Sequence, residues 1–146
     1  MEKAIFLDCD GTWIDLYGVK NWLDDLVNHR ARPYKEAKPL VNLALFAKLI
    51  HKAQKKGYTV NIVSWLSKNS TPLFDEEVTQ AKKEWFKKHL PSVVFDTIYI
   101  IPYGTPKTNY GKGILFDDEH QNREQWEKNG GIAYDEKYLI DFFKQL

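Results

Sequence analysis

Five short segments rich in apolar residues recur along the chain, and helical patterns separate them. Short apolar runs of this kind are typical of strands in a parallel sheet that is covered on both faces. The sequence predicts strands over residues 4–7, 58–64, 95–101, 113–116 and 132–134. Strands that alternate with helices predict an α/β fold with a central, mostly parallel sheet of about five strands.

Helical periodicity fills the intervals between these strands. Apolar residues from Val19 to Val27 recur at i, i+3, i+4, i+7 and i+8, which predicts a short amphipathic helix. A second helix begins near Pro39, includes residues 40–50 and is closed by Gly57. Further helices are expected over residues 75–89, 122–128 and 138–143, and residues 30–39, which contain two prolines, are expected to form a loop.

Composition bounds the class of protein. The chain has 146 residues, enough for one domain over residues 1–146, and 21 basic against 20 acidic residues give a net charge of +1. That balance gives no support to binding along a nucleic-acid backbone. A single cysteine, Cys9, excludes an internal disulfide, and no segment approaches the roughly 18 apolar residues of a membrane span. We therefore expect a cytoplasmic protein without a membrane partner.

Acidic residues follow two of the predicted strands. Asp8 and Asp10 are two residues apart at a strand end, so their side chains share a face. Gly11 and Thr12 then suit a sharp turn. Two carboxylates about 4 Å apart repel by roughly 4 kcal/mol at an effective dielectric constant of 20. With Asp117-Asp118 after another strand, this cluster predicts a bound cation, and an all-oxygen ligand set favours Mg²⁺.

A hydroxyl and an ammonium group accompany these acids. Ser64 ends the second predicted strand, and Lys107 lies in the loop before the fourth. Together with a cation they would bind the oxygens of a phosphate. Lys112 is the rival for the lysine role, but it lies only five residues before Asp117, so we prefer Lys107. The set of groups is that required for phosphoryl transfer through an aspartyl-phosphate.

These motifs resemble the four motifs of the haloacid dehalogenase (HAD) superfamily of phosphohydrolases. The motifs here are Asp8-Cys9-Asp10-Gly11-Thr12, Ser64 after Asn61-Ile62-Val63, Lys107 after Gly104-Thr105-Pro106, and Asp117-Asp118 after Ile114-Leu115-Phe116. The resemblance implies a Rossmann-like, three-layer α/β/α fold. It also implies Mg²⁺-dependent hydrolysis of a phosphomonoester.

The resemblance also implies residue roles. Asp8 would be the nucleophile, and Asp10 would protonate the leaving oxygen and then activate water, while its backbone carbonyl binds the metal. Asp118 would be a direct metal ligand, and Asp117 would assist, so the implied metal residues are Asp8, Asp10, Asp117 and Asp118. Ser64 and Lys107 would hold the phosphate, and Gly11 and Thr12 are counted with these substrate-binding residues.

Superfamily members differ mainly in their cap insertions. Residues 13–39 offer only a flap or small cap, so the site is expected to be open. Trp13, Tyr17 and Trp22 lie there and are candidates to stack on a ring of the substrate, although Trp22, on the apolar stripe of its helix, favours a core or interface role. Exposed tryptophans beside a small cap make a homodimer plausible. Residues 114–134 loosely resemble the small 5′-nucleotidase branch.

We therefore expect hydrolysis of a nucleotide or another small phosphorylated metabolite. Three alternatives stay open: a phosphatase of larger targets such as nucleic-acid ends or phosphoproteins, a binder that sequesters a phosphorylated ligand without turnover, and transfer to an acceptor other than water. The lysines of residues 82–88 are expected on a solvated helix face. Basic residues near the flap could reach an anionic substrate: Arg30, Arg32, Lys35 and Lys38. Cys9 is expected to be a small buried residue.

Overall fold

The computed structural model describes residues 3–146. The strands are β1 (Ala4–Leu7), β2 (Ile14–Asp15), β3 (Lys38–Pro39), β4 (Thr59–Trp65), β5 (Thr97–Ile101), β6 (Ile114–Phe116) and β7 (Ile132–Tyr134). The α-helices are α1 (Trp22–Val27), α2 (Arg32–Glu36), α3 (Leu43–Lys55), α4 (Pro72–His89), α5 (His120–Lys128) and α6 (Leu139–Lys144). Short 3₁₀ turns occupy Leu16–Gly18, Lys107–Asn109 and Glu136–Tyr138.

Five strands form the central sheet in the order β5-β4-β1-β6-β7, and every neighbouring pair is parallel. β1 lies at its centre, where Ile5 pairs with Val60 of β4 and Ile114 of β6. This confirms the predicted α/β class and the parallel sheet of five strands. The order also makes β1 and β6 direct neighbours, so the residues that follow them meet at one edge.

Helices cover both faces of the sheet. Ile5 and Leu7 belong to the main core cluster, which also contains side chains of α3, α4 and α6. Phe6 points to the other face and packs against Trp126 of α5. Three layers result, because residues of the central strand β1 are buried on both faces of the sheet.

The segment between β1 and α3 leaves the sheet as a two-stranded antiparallel ribbon, in which β2 pairs with β3. The expected loop over residues 30–39 is wrong, because it contains α2 and β3. Pro33 lies in the first turn of α2, where the absence of its N–H costs no hydrogen bond. Arg32 donates to Asp25 of α1 and to Glu36 of its own helix. The hydrogen bond to Asp25 links α2 to α1.

The apolar stripe of α1 does not enter the core. Leu23 and Val27 are exposed, whereas Asp25 is buried and accepts hydrogen bonds from Arg30 and Arg32. These two arginines therefore have an internal partner, and the stripe that suggested a packed helix lies on an accessible surface.

Trp13 lies in the core rather than on the flap surface. It is fully buried, and its ring stacks on Phe86 and makes edge contacts with Phe46 and Trp85. Its indole N–H has no hydrogen-bond partner among the described residues. The expectation that Trp13 is available to stack on a substrate is therefore wrong.

In the described part of the chain, no helix has both the length and the apolarity needed to cross a membrane.

Because Trp13 fills the centre of an aromatic cluster, Trp13→Ala should lower the free energy of unfolding by about 3–5 kcal/mol. Chemical denaturation would measure the change. Trp22→Ala is the control, since Trp22 is only partly buried and should lose no more than about 1 kcal/mol. Equal losses in the two variants would contradict the assignment of Trp13 to the core.

Candidate active site

Four carboxylates meet at the carboxyl edge of the sheet. Asp8 and Asp10 follow β1, and Asp117 and Asp118 follow the neighbouring strand β6. Oxygens of Asp8, Asp117 and Asp118 all lie within 4.8 Å of one another. The structure thus brings together both acidic pairs that the sequence singled out, at the edge where ligands of parallel α/β sheets bind.

Gly11 and Thr12 hold the two acidic strand ends together. Gly11 has φ +82°, and a Cβ at this position would overlap the carboxylate of Asp118. The Thr12 hydroxyl donates to Oδ2 of Asp8 at 2.8 Å and accepts from the backbone N–H of Asp118 at 3.2 Å. These contacts organise the acidic cluster, and substrate binding by either residue stays a prediction.

Of the two lysines that the sequence offered, Lys107 is the one that reaches Asp8 and Asp117. Its Nζ donates to Oδ1 of Asp8 at 2.8 Å and to Oδ2 of Asp117 at 2.7 Å, and its side chain is 3% exposed. The rival, Lys112, is exposed and lies beside Gly130. Of the two candidates, the structure therefore places Lys107 beside the predicted nucleophile.

Asp117 is held by several donors that the sequence did not reveal. The Asn122 side chain donates to Oδ2 at 3.1 Å, and the Glu119 backbone N–H donates to Oδ1 at 2.9 Å. Asn122 lies five residues after Asp117 and is the third residue of α5. Asp117 is therefore fixed and inaccessible, while Asp118 remains half-buried.

Lys82 corrects the expectation that the lysines of residues 82–88 are solvated. It is buried in α4, and its Nζ donates to Oδ2 of Asp10 and to Oγ of Ser64, both at 2.8 Å. A signal for this existed, because Lys82 follows Val78 by four residues and precedes Trp85 by three, and both of these residues are buried. These spacings place it on the inward face.

Ser64 lies behind the site rather than on its open side. It ends the buried part of β4, is fully buried, and accepts from Lys82. Cys9 is also fully buried, as expected, and burial raises the pKa of its thiol. Binding of phosphate by Ser64 stays a prediction.

The charges of the site do not balance when every group is ionised. Four carboxylates face two ammonium groups, Lys82 and Lys107, which leaves a formal charge of −2. Burial and the nearby Asp8 carboxylate raise the pKa of Asp117 to about 6, and burial with the hydrogen bond to Asp8 raises the pKa of Asp118 to about 8. Without a cation, protons offset part of the excess charge.

Asp8 differs from its neighbours. Burial alone would raise the pKa of its carboxyl, but the Lys107 ammonium and several hydrogen bonds hold that pKa below its ordinary value. Burial raises the pKa of Asp10 despite the ammonium of Lys82 beside it. The pKa values of the two carboxyls of the first motif therefore shift in opposite directions, that of Asp8 downward and that of Asp10 upward.

The acidic cluster fits a small, hard cation. Asp8, Asp117 and Asp118 offer oxygen ligands only, and a divalent ion would cancel the formal charge of −2. Asp118 is the most accessible of the three. The side chain of Asp10 is not in this cluster, because it pairs with Lys82, and metal binding by its backbone carbonyl stays a prediction.

A cavity of about 350 Å³ opens above the carboxylates. Asp8, Asp10, Lys107 and Asp118 lie at its base. Its walls are mainly apolar and come from the ribbon insertion and from the loop after β4: Leu16, Tyr17, Trp22, Leu23, Leu26, Val27, Tyr34, Trp65 and Leu66. The apolar stripe of α1 is thus a cavity wall.

The raised pKa values of Asp117 and Asp118 predict how stability without metal depends on pH. The folded state keeps protons on these carboxyls up to about pH 6 and about pH 8, whereas the ordinary carboxyl pKa is 3.8, so folding binds protons in this range. The free energy of unfolding of the metal-free protein should therefore fall as the pH rises from about 5 to about 8.

Asp118→Asn should flatten this dependence, because asparagine is neutral at every pH in the range. Thermal unfolding in the presence of a chelator, at several pH values for both proteins, would measure it. Parallel pH profiles for the two proteins would show that Asp118 does not carry the effect.

No protein-family model matches this chain, and no curated protein sequence is significantly similar to it.

Proposed function

We propose that the protein is a metal-dependent phosphomonoester hydrolase of the HAD type that acts through an aspartyl-phosphate on Asp8. The observation that carries the proposal is the position of Asp8 in the lining of the cavity. Its Oδ1 accepts a hydrogen bond from the Lys107 ammonium at 2.8 Å, oxygens of Asp117 and Asp118 lie within 4.8 Å, and a second carboxyl, Asp10, lines the same cavity. A nucleophile beside an acid is the pair that this chemistry requires.

Each group has one part in the proposed reaction. A carboxylate oxygen of Asp8 attacks phosphorus while the bond from phosphorus to the leaving oxygen breaks, and Asp10 gives its proton to that oxygen. Water then attacks phosphorus, Asp10 takes the proton from the water, and the bond to Asp8 breaks to release phosphate. Lys107, with one N–H free for a third partner, would hold phosphate oxygens.

Mg²⁺ is the proposed cofactor, held by Asp8 and Asp118 with Asp117 beside them. When bound, it would neutralise the carboxylates and the charge that develops on the phosphate oxygens. The residues that hold it are already fixed without it: Thr12 fixes Asp8 and Asp118, while Lys107 and Asn122 fix Asp117.

The cavity favours a small substrate that carries a ring. A volume of about 350 Å³ is at the lower end of the range for small-molecule sites. Two aromatic pairs border the cavity, Tyr17 with Trp22 and Trp65 with Tyr103. A nucleotide or a similar phosphorylated metabolite is therefore preferred over a nucleic-acid end or a phosphoprotein. The proposed location is the cytoplasm, because the single thiol of Cys9 suits a reducing compartment.

Asp8→Asn should abolish phosphate release while the protein stays folded, because an amide is a poor nucleophile and keeps the shape of the carboxylate. Phosphate release from nucleoside 5′- and 3′-monophosphates, sugar phosphates and a 3′-phosphorylated oligonucleotide, with and without Mg²⁺, would measure it. Asp141→Asn, on the exposed side of α6, is the matched control and should keep full activity.

Full activity in Asp8→Asn would remove Asp8 as nucleophile. Tight binding of a phosphate ester without release at millimolar Mg²⁺ would instead favour a sequestering protein. Preference for the oligonucleotide over every small ester would favour the larger-target alternative.

Trp22→Ala should raise KM for a nucleoside monophosphate by about 5- to 100-fold, since stacking on an aromatic side chain contributes about 1–3 kcal/mol. KM for a phosphate ester without a ring should stay within about twofold, because it makes no such contact. Steady-state kinetics on the two esters would show the difference. An equal change in KM for both would contradict ring stacking on Trp22.

A further inference from the structure

Lys82 is a buried cation that the proposed reaction does not use. It projects from α4, eighteen residues after Ser64, and its side chain is 4% exposed. Its Nζ has three neighbours: Oδ2 of Asp10, Oγ of Ser64 and the ring of Tyr34, whose centroid is 4.9 Å away. A buried ammonium is retained only where its partners are well placed, and here they are.

The neighbours of Lys82 are themselves fixed. Tyr34 lies in α2, and its hydroxyl shares a hydrogen bond of 2.6 Å with Ser67, in the loop after β4. Ser64 is fully buried within the sheet and is not among the residues that line the cavity. The ammonium is thus held by the sheet on one side and by the insertion on another, so it has little freedom to move.

Asp10 has one oxygen bound and one oxygen free. Its Oδ2 accepts from Lys82, whereas no donor within residues 3–146 reaches its Oδ1. The side chain is 15% exposed, and Asp10 lines the cavity. A carboxyl held through one oxygen cannot rotate freely about its χ2 angle, so the other oxygen keeps a constant position.

We infer that Lys82, backed by Ser64, is a positioning residue for Asp10: it holds Oδ2 so that Oδ1 faces the leaving oxygen of the substrate. The inference rests on the proposed function, in which Asp10 is the acid. Lys82 differs in this from Lys107, which lines the cavity and lies on Asp8 and Asp117. One lysine serves the nucleophile and the metal ligands, and the other serves the acid.

The test exploits leaving groups that need a proton to different degrees. p-Nitrophenyl phosphate releases a stable anion, whereas benzyl phosphate has a similar ring but releases an alcohol that must be protonated. Lys82→Met should lower kcat/KM for benzyl phosphate about 100-fold, the scale of general acid catalysis, and that for p-nitrophenyl phosphate by no more than about fivefold. Because kcat/KM ends at release of the leaving group, hydrolysis of the phosphoenzyme does not enter the comparison.

Three further measurements separate positioning from other roles. Inhibition by inorganic phosphate should be unchanged in Lys82→Met, because the ammonium is not proposed to touch phosphate. Lys82→Arg, which keeps the charge, should recover part of the loss on benzyl phosphate. Lys83→Met, an exposed neighbour in the same helix, should behave as the unaltered protein does.

A double-mutant cycle covers the case in which Lys82→Met folds poorly because the buried Asp10 carboxyl loses its ammonium partner. In an Asp10→Asn background that carboxyl is gone, and adding Lys82→Met should change kcat/KM by less than about twofold, since both changes remove the same function. An additive loss in the double variant would overturn the inference.

Other outcomes overturn the inference in distinguishable ways. Equal losses of kcat/KM on both esters in Lys82→Met would show that Lys82 has only a structural role. Weaker inhibition by inorganic phosphate in this variant would show that Lys82 binds phosphate. Both results leave the proposed function intact. An unaltered protein that releases no phosphate from any ester would overturn the proposed function and, with it, this inference.

Discussion

The excess of negative charge at the carboxyl edge of the sheet is the constraint on which the rest of the site depends. Four carboxylates are gathered because β1 and β6 are neighbours and each ends in an acidic pair. Nothing in water would hold them together, so the protein surrounds them with ammonium groups, a hydroxyl and backbone donors. The remaining negative charge favours protonation of these carboxyls and would favour the proposed divalent cation.

The sequence predicts this edge well because its signals are local. An apolar run that stops in Asp-Cys-Asp-Gly-Thr specifies a strand and a turn, and Gly11 is needed where a Cβ would meet Asp118. Parallel strands then align their carboxyl ends without further information. The meeting of Asp8, Lys107 and Asp118 therefore follows from order and local pattern, and membership of the HAD superfamily stays a proposal.

The features that the sequence did not predict are those that depend on tertiary contacts. Lys82 has the spacing of a core residue but the chemistry of a surface residue, and its burial becomes favourable only through its tertiary contacts with Asp10, Ser64 and Tyr34. Likewise α2 is short and contains a proline, so its stability comes from Arg32 and from contact with α4. Trp13 is adjacent to the acidic motif in sequence, yet its ring points into the core.

Trp65 gives the site an optical property. It borders the cavity at the end of β4, its indole N–H donates to the carbonyl of Thr105, and its ring centroid lies 5.4 Å from Nζ of Lys107. Indole fluorescence responds to nearby charge. An anion that binds the Lys107 ammonium would therefore change the electric field at the Trp65 ring and, with it, the fluorescence of Trp65. Trp13, Trp85 and Trp126 are buried away from the cavity, whereas Trp22 borders it together with Trp65. The protein thus carries an intrinsic fluorophore beside its proposed phosphate-binding lysine.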